Sequence, residues 1–279
     1  MNINMEKISS NTFLNRVKEY QRKVDNAILT ELDKRKESVF YEPFRNIMKG
    51  GKRLRPILLL LSFESVDGRR LNPLPAAVAV EFTHLESLIH DDIIDRDTLR
   101  RGSASFHVLY GYEQAILGAD YIFSVILELI TRYPDSRVAE TLALATSRMC
   151  EGQLIELTAY KKKEKISLEK YVNIVYNKTA SLFESAATIG AIIGGAEKEE
   201  IQILSDYGRA LGIAYQIQDD LTDLHTSKIN NILNLLKETE TIRTLSKSCI
   251  MEAKKQLEKL KETKARQLLK ELADYVTCK

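Results

Sequence analysis

Apolar residues recur at intervals of three and four along most of the 279-residue chain. This interval matches the 3.6-residue period of an α-helix, whereas the two-residue alternation typical of β-strands is nearly absent. The sequence therefore predicts an all-α fold, a helical bundle of about ten or more helices. The segments with helical periodicity are residues 11–37, 55–66, 75–95, 111–131, 136–158, 167–195, 198–224 and 250–277.

Short breaks separate these segments, and none of them has the composition of a linker between domains. The chain contains only 12 glycines and 5 prolines, too few for a disordered or linker-rich protein. Because folds of this length often form one unit, residues 1–279 are expected to form a single domain. The expected breaks are at residues 50–51, 67–68, 101–102, 133–134, 161–165 and 194–195.

Charge and cysteine content exclude several classes of protein. The 41 basic residues nearly balance the 39 acidic ones, so no nucleic-acid partner is expected. Cys150, Cys249 and Cys278 lie far apart without a CxxC pair, which argues against disulfides or a zinc cluster and fits a reducing cytosol. The N-terminus lacks the apolar region of a signal peptide, and the longest apolar run, Ile57–Leu61, is too short to cross a bilayer. We therefore expect a cytoplasmic protein without a transmembrane segment.

Two pentapeptides of the form DDxxD lie inside apolar helical segments, DDIID at 91–95 and DDLTD at 219–223. Residues four apart share one face of a helix, so the first and last aspartates of each pentapeptide point the same way. Such like charges repel each other and need a counter-charge beside apolar neighbours. Ligand sets made only of oxygen favour Mg²⁺, which is usually shared with substrate phosphates. Two such helix faces across one cavity would hold a metal-bridged diphosphate.

An ordinary alternative for each pentapeptide is a solvated acidic helix end. For a single DDxxD that alternative is about as good as a metal site, because acidic helix ends are common. Two copies, each preceded by a strongly apolar stretch, favour the metal-binding interpretation.

Basic residues suited to a diphosphate occur at several places along the chain. GGKRLRP at 50–56 places one lysine and two arginines beside a glycine turn, before a proline-led helix. Arg100 and Arg101 follow the first acidic pentapeptide, and arginine can bind phosphate through two parallel hydrogen bonds. Lys178 lies in an otherwise apolar helical segment, where it either extends along the surface or reaches an anion. Each of these features alone is weak evidence.

Taken in order, these motifs resemble those of the all-trans polyprenyl diphosphate synthase family. The motifs that carry the resemblance are GGKRLRP, SLIHDDIIDRDTLRRG, the KT of YNKTASLF, and GIAYQIQDDLTD. Matching context also occurs in GADYIF at 118–123, CEGQLIEL at 150–157 and KELADYV at 270–276. The resemblance covers residues 40–226 and the last helix, and it implies an all-α bundle around a deep central cavity.

The resemblance also implies a reaction, a cofactor and site residues. An allylic diphosphate would ionise, the double bond of isopentenyl diphosphate would attack, and a proton would leave to the departing diphosphate. Three Mg²⁺ ions and a homodimer are expected, with no partner other than these small-molecule substrates.

The implied metal ligands are Asp91, Asp95 and, in support, Asp92 for the first site, and Asp219, Asp220 and Asp223 for the third metal. The implied substrate-binding residues are Lys52, Arg55, His84 and Arg101 for isopentenyl diphosphate, and Arg100, Lys178 and Gln216 for the allylic diphosphate. Thr179 is expected to help remove the proton, and we count Asp91, Asp95, Lys178 and Thr179 as the catalytic residues.

The chain departs from the family's pattern in two places. After the second pentapeptide the family carries a Gly-Lys…Asp loop that closes over the diphosphates, whereas this segment is shortened and offers only Lys228 as a closing base. The positions that limit product length in this family lie one turn before the first aspartate, at Glu86 and Ser87, with Thr83 further down the same face. A glutamate is neither bulky nor apolar, and products of C15–C20 are expected.

Three other functions compete with this interpretation. A class I terpene cyclase also uses DDxxD, but its second metal site differs from DDLTD. A metal phosphohydrolase is suggested by His90-Asp91, but none of the remaining histidines has a convincing partner. A non-catalytic regulatory subunit of a heteromeric prenyl synthase is favoured by the altered loop and opposed by two intact acidic pentapeptides.

Overall fold

The structure, a computed structural model, describes residues 2–69, 71–100, 102–224, 232–236 and 240–277. Within these residues the fold is all-α, as the periodicity predicts. The helices are α1 Asn2–Asp33, α2 Tyr41–Ile47, α3 Leu54–Ser65, α4 Leu74–Asp95, α5 Phe106–Tyr110, α6 Tyr112–Ile130, α7 Ser136–Lys162, α8 Leu168–Val175, α9 Ser181–Gly194, α10 Lys198–Leu224, α11 Glu240–Leu257 and α12 Lys264–Thr277. A two-stranded antiparallel hairpin joins β1 Leu99–Arg100 to β2 Ser103–Ala104, a π-helical turn spans Tyr176–Ala180, and a 3₁₀ turn spans Ile232–Leu235.

The predicted single helix over 250–277 is wrong. The structure ends α11 at Leu257 and begins α12 at Lys264. At the start of α12 the Thr263 hydroxyl accepts a hydrogen bond from the backbone N–H of Arg266 at 3.0 Å, which satisfies one of the unpaired donors of a new helix. The Arg266 side chain donates to the backbone carbonyl of Leu260 at 2.8 Å and fixes the connecting turn.

One compact unit of the chain comprises Met1–Ile57 and Pro73–Pro134. Its core includes the apolar N-terminal half of α4, which packs against α6. An aromatic cluster joins α2 to α5 and α6, since the Phe44 ring lies 5.8 Å from Phe106 and 6.1 Å from Tyr121. This cluster accounts for the two short helices α2 and α5, which the periodicity did not predict.

A second compact unit comprises Leu58–Asn72 and Asp135–Lys279. Its helix α10 packs against α9 and α11, and the fully buried Tyr207 on α10 donates from its hydroxyl to the backbone carbonyl of Leu269 at 2.7 Å. The expectation of a single domain over 1–279 remains a prediction. Within the described part of the chain, the structure contains no helix long and apolar enough to cross a membrane.

Candidate active site

The first acidic pentapeptide forms the C-terminal turn of α4 in the first unit. The helix ends because Arg96 adopts a left-handed conformation with φ of 57°, and its N–H bonds back to the carbonyl of Asp92. The chain then turns through the hairpin, where Gly102 has φ of 78°, a value that glycine adopts without strain. This reversal returns Arg100 to the end of α4.

Arg100 binds the middle aspartate of this pentapeptide. Its Nε donates to Oδ1 of Asp92 at 2.8 Å, and Nη2 donates to the same oxygen. Asp92 is only 3% exposed, whereas Asp91 is partly exposed and Asp95 is exposed. Burial raises the pKa of Asp92 and outweighs the ion pair with Arg100, which acts in the opposite direction. The three aspartates therefore have different environments, and the outer two present their carboxylates near the surface.

A cavity of about 300 Å³ lies beside this end of α4, within the first unit. Its lining combines apolar side chains such as Leu88 and Phe106 with polar groups that include His84, Asp92 and Arg100. The structure therefore brings two predicted substrate-binding residues, His84 and Arg100, to the lining of one cavity.

The basic loop before α3 contains one arginine with a structural role. Arg53 is 5% exposed, and its guanidinium donates to Asp25 at 2.8 Å, to Glu81 at 2.7 Å and to the carbonyl of Met48. Burial alone would lower the pKa of Arg53, but the two carboxylates more than offset it and raise the pKa. The sequence could not separate this residue from its two basic neighbours. The predicted ligands Lys52 and Arg55 flank it on the loop and the first turn of α3.

The second acidic pentapeptide lies in the last turns of α10, in the second unit. Asp219 and Asp223 are partly exposed, whereas Asp220 is 8% exposed. Asp220 accepts hydrogen bonds at both carboxylate oxygens, from the Tyr171 hydroxyl at 2.7 Å and from Nε2 of Gln216 at 2.8 Å. Burial raises the pKa of Asp220 to about 7, although both hydrogen bonds lower it.

Lys178 and Thr179 lie on the π-helical turn between α8 and α9. Such turns carry one extra residue and are frequent at functional sites. The Lys178 ammonium donates to the carboxylate of Glu156 on α7, and the Thr179 hydroxyl donates to Oε1 of Gln216 at 2.8 Å. The predicted residues Thr179, Gln216 and Asp220 are therefore joined in one hydrogen-bonded network, and the predicted residue Lys178 precedes Thr179 on the turn with its ammonium bound to Glu156.

Two glycines allow the neighbouring helices to approach this π-helical turn closely. A Cβ atom on Gly152 of α7 would lie 2.8 Å from the Cα of Lys178, and one on Gly212 of α10 would lie 2.6 Å from the Cα of Ala180. Both distances are far below van der Waals contact with backbone atoms that cannot move aside. Glycine at these two positions therefore allows α7 and α10 to pack directly against the backbone of the π-helical turn.

The residues predicted to control product length lie along α4 before the first pentapeptide. The Thr83 hydroxyl donates to the carbonyl of Ala79 at 3.0 Å, and the Ser87 hydroxyl donates to the carbonyl of His84 at 2.8 Å. Glu86 is partly buried, and its burial together with the nearby Asp120 on α6 raises its pKa to about 7.

Two predicted site residues, Arg101 and Lys228, lie outside the described residues. Sequence reasoning missed two others, Glu156 and Tyr171. Glu156 carried a weak signal, because it lies in CEGQLIEL four residues after Gly152. Tyr171 carried no such sequence signal, because a tyrosine on an apolar helix is usually an ordinary core residue.

The sequence model of the polyprenyl synthetase family matches residues 37–276. The chain belongs to this family. The resemblance predicted from the motifs is confirmed, and membership places the chain among prenyltransferase enzymes.

Individual members agree with this assignment. The chain is 37% identical to geranylgeranyl diphosphate synthase of Methanosarcina mazei, covering 76% of this chain and 67% of that protein. It is 43% identical to short chain isoprenyl diphosphate synthase of Methanothermobacter thermautotrophicus, covering 64% of this chain and 56% of that protein. The crystal structure of geranylgeranyl pyrophosphate synthetase from Pyrococcus horikoshii has a TM-score of 0.84 at 30% identity, covering 97% of this chain and 99% of that one. The chain thus spans little more than half the length of the second relative.

Proposed function

We propose that the chain condenses isopentenyl diphosphate with an allylic diphosphate, head to tail, to give an all-trans prenyl diphosphate. Family membership supports the reaction class. The observation that carries the proposal is the hydrogen-bonded network of Thr179, Gln216 and Asp220 at the π-helical turn that also carries Lys178, since these are four of the residues that the family's motifs imply. The Asp92–Arg100 pair at the end of α4 adds a second such group.

Mg²⁺ is proposed as the cofactor, and the donor set fits it. Among the described residues, no group of three or more His, Cys, Asp or Glu side chains could hold a metal ion by itself. The support is the carboxylate oxygens of the two pentapeptides, because Mg²⁺ is commonly bound through one or two carboxylates together with water and substrate phosphates. Asp91 and Asp95 would hold the ions that carry the allylic diphosphate, and Asp219 with Asp223 would hold a third. When bound, the ions would neutralise the charge that develops on the leaving diphosphate.

The protein's own side chains would bind and orient the two substrates. Lys178 and Arg100 would place positive charge against the allylic diphosphate, and each is already held by a carboxylate that fixes its position. Lys52, Arg55 and His84 would bind isopentenyl diphosphate. Thr179, beside Lys178, would accept the proton that is lost after condensation and pass it to the diphosphate.

We propose a product of C15–C20, with Glu86 limiting its length. The partly buried Glu86 and its neighbour Asp120 would present polar groups to a growing apolar chain, which such groups disfavour. Glu86→Ala should then lengthen the products, while an unchanged product would show that Glu86 faces elsewhere. A homodimer, expected from the resemblance, remains a prediction.

Product analysis tests the proposed reaction directly. Purified protein, Mg²⁺, isopentenyl diphosphate and geranyl or farnesyl diphosphate should yield a longer prenyl diphosphate, identified by mass spectrometry of the dephosphorylated products. A cyclic hydrocarbon would favour a terpene cyclase. Recovery of unchanged substrates at high enzyme concentration would contradict the proposal and favour a regulatory subunit, which the altered sequence after Asp223 also permits.

A further inference from the structure

Four side chains of the second unit form a continuous hydrogen-bonded series. The Tyr171 hydroxyl donates to Oδ2 of Asp220 at 2.7 Å, and Oδ1 of Asp220 accepts from Nε2 of Gln216 at 2.8 Å. Oε1 of Gln216 then accepts from the Thr179 hydroxyl at 2.8 Å. The series starts on α8, crosses α10 and ends on the π-helical turn. Nothing in the family's motifs assigns a role to Tyr171.

The direction of each hydrogen bond in this series follows from the one before it. When Asp220 is ionised its carboxylate can only accept, so the amide of Gln216 turns its NH₂ group toward Asp220. The amide oxygen, which can only accept, is then turned toward Thr179. The hydroxyl proton of Thr179 is therefore committed to Gln216, and its oxygen lone pairs are left for another donor.

The two parts of Tyr171 have separate environments. Its ring is fully buried among apolar residues of the core, which include Ile174 and Ile217. Its hydroxyl is directed at Asp220, a residue 49 positions away in the sequence. Packing requires only the ring, because a buried phenylalanine would fill the same space without a donor. Packing alone therefore does not account for the hydroxyl.

We propose that Tyr171 is a positioning residue that orients the Thr179 hydroxyl through Asp220 and Gln216. Resting on the proposed prenyl transfer, this assignment makes Thr179 an acceptor, with its lone pairs rather than its proton presented to bound substrate. Without the Tyr171 hydroxyl, Asp220 loses a hydrogen-bond donor, the amide of Gln216 is no longer held in one orientation, and Thr179 can rotate. Losing one fixed orientation near the reacting atoms slows the reaction more than it weakens binding.

Tyr171→Phe is the variant that tests this proposal, and Tyr207→Phe is its matched control. Both tyrosines are fully buried in the second unit, and each donates one hydrogen bond of 2.7 Å, Tyr207 to the backbone carbonyl of Leu269. Both variants should lose comparable stability in thermal unfolding. Only Tyr171→Phe should lower kcat, by about tenfold, with the KM of each diphosphate nearly unchanged. A kcat within twofold of wild type, or an equal fall in Tyr207→Phe, would overturn the proposal.

A double-mutant cycle with Gln216→Leu tests the route through the amide. If the effect of Tyr171 passes through Gln216, Tyr171→Phe should cause no further loss of kcat in the Gln216→Leu background. Losses that multiply would show that the two residues act independently and would also overturn the proposal.

The orientation of Gln216 can be measured without any turnover. In ¹⁵N-glutamine-labelled protein, the side-chain NH₂ signal of Gln216 should exchange with solvent faster in Tyr171→Phe and at the wild-type rate in Tyr207→Phe. Unchanged exchange in both variants would contradict the proposal. An inactive wild-type protein would instead overturn the proposed function, and the exchange rates would still decide whether Tyr171 holds Gln216.

Discussion

The two acidic pentapeptides have the same spacing but are stabilised by different partners. In each, the second aspartate is turned into the protein, with Asp92 3% exposed and Asp220 8% exposed. Asp92 is bound by the charged guanidinium of Arg100, which lies eight residues later in the sequence. Asp220 is bound by two neutral donors, Tyr171 and Gln216.

This difference shows that a repeated motif does not define a repeated site. The DDxxD spacing determines which carboxylates share a helix face, and that part is the same in both copies. The partner of the buried carboxylate is determined by the chain around it. In the first copy it comes from a hairpin, and in the second the partners come from the neighbouring helix α8 and from α10 itself. The buried aspartate of each pentapeptide thus binds its partner with a different chemistry, a charged guanidinium in one and neutral donors in the other.

The largest expected effect concerns the outer aspartates, which should behave alike in the two pentapeptides. Asp91→Ala and Asp219→Ala should each reduce kcat by about a thousandfold, because each removes a carboxylate that would hold Mg²⁺. Steady-state incorporation of isopentenyl diphosphate measures this loss. The control substitutions are Asp97→Ala, near the first pentapeptide, and Asp206→Ala, on α10. Both should change kcat little. Equal losses at Asp91 and Asp97 would remove the basis of the metal assignment.

The next largest effect is on the free energy of unfolding, and it should differ between the partners of the two middle aspartates. Arg100→Met leaves Asp92 buried without its charged partner and should cost about 3 kcal/mol of the free energy of unfolding. Gln216→Leu removes one neutral donor and leaves Asp220 bound to Tyr171, so it should cost only about 1 kcal/mol. Urea unfolding of both variants at pH 7.5 gives the comparison. If Gln216→Leu cost as much as Arg100→Met, the charge of the partner would not be what distinguishes the two pentapeptides.

Periodicity predicted the long helices well, because each buries one continuous apolar face. It did not predict α2, which depends on ring contacts of Phe44 with α5 and α6. It also missed the break between α11 and α12, since residues 258–263 include good helix formers and the turn is held by side-chain contacts of Thr263 and Arg266. Both failures have the same cause, because the periodicity of apolar residues contains no information about contacts between side chains of different elements.

The same limit applies to the candidate site. Spacing and motif order identified Thr179 and Gln216, which the structure joins by a hydrogen bond, and Lys178, which it places beside Thr179 on the same turn. They could not show that Arg53 is a buried structural cation or that Tyr171 binds Asp220, because those partners come from distant helices. That both pentapeptides bind a single diphosphate remains a prediction.

The last expected effect concerns the residue five positions before each pentapeptide, where the first copy has Glu86 and the second has Ala214. The pKa of Glu86 is raised from 4.5 to about 7 by burial and by Asp120, so the folded state holds its proton more tightly than the unfolded chain does. Stability from this group is therefore complete below pH 4.5 and falls as the pH rises through 7. Glu86→Gln keeps the shape of the side chain and cannot ionise.

This substitution should leave stability unchanged near pH 4.5 and raise the free energy of unfolding by about 2 kcal/mol at pH 8, a value reduced for the partial exposure of Glu86. Thermal unfolding of wild type and Glu86→Gln across this range measures the difference, and Glu151→Gln, at an exposed position on α7, is the control. A gain that is the same at both pH values would show that the carboxylate charge is not responsible. A gain confined to high pH would show that the first pentapeptide carries, one turn before it, a destabilising carboxylate that the second replaces with alanine.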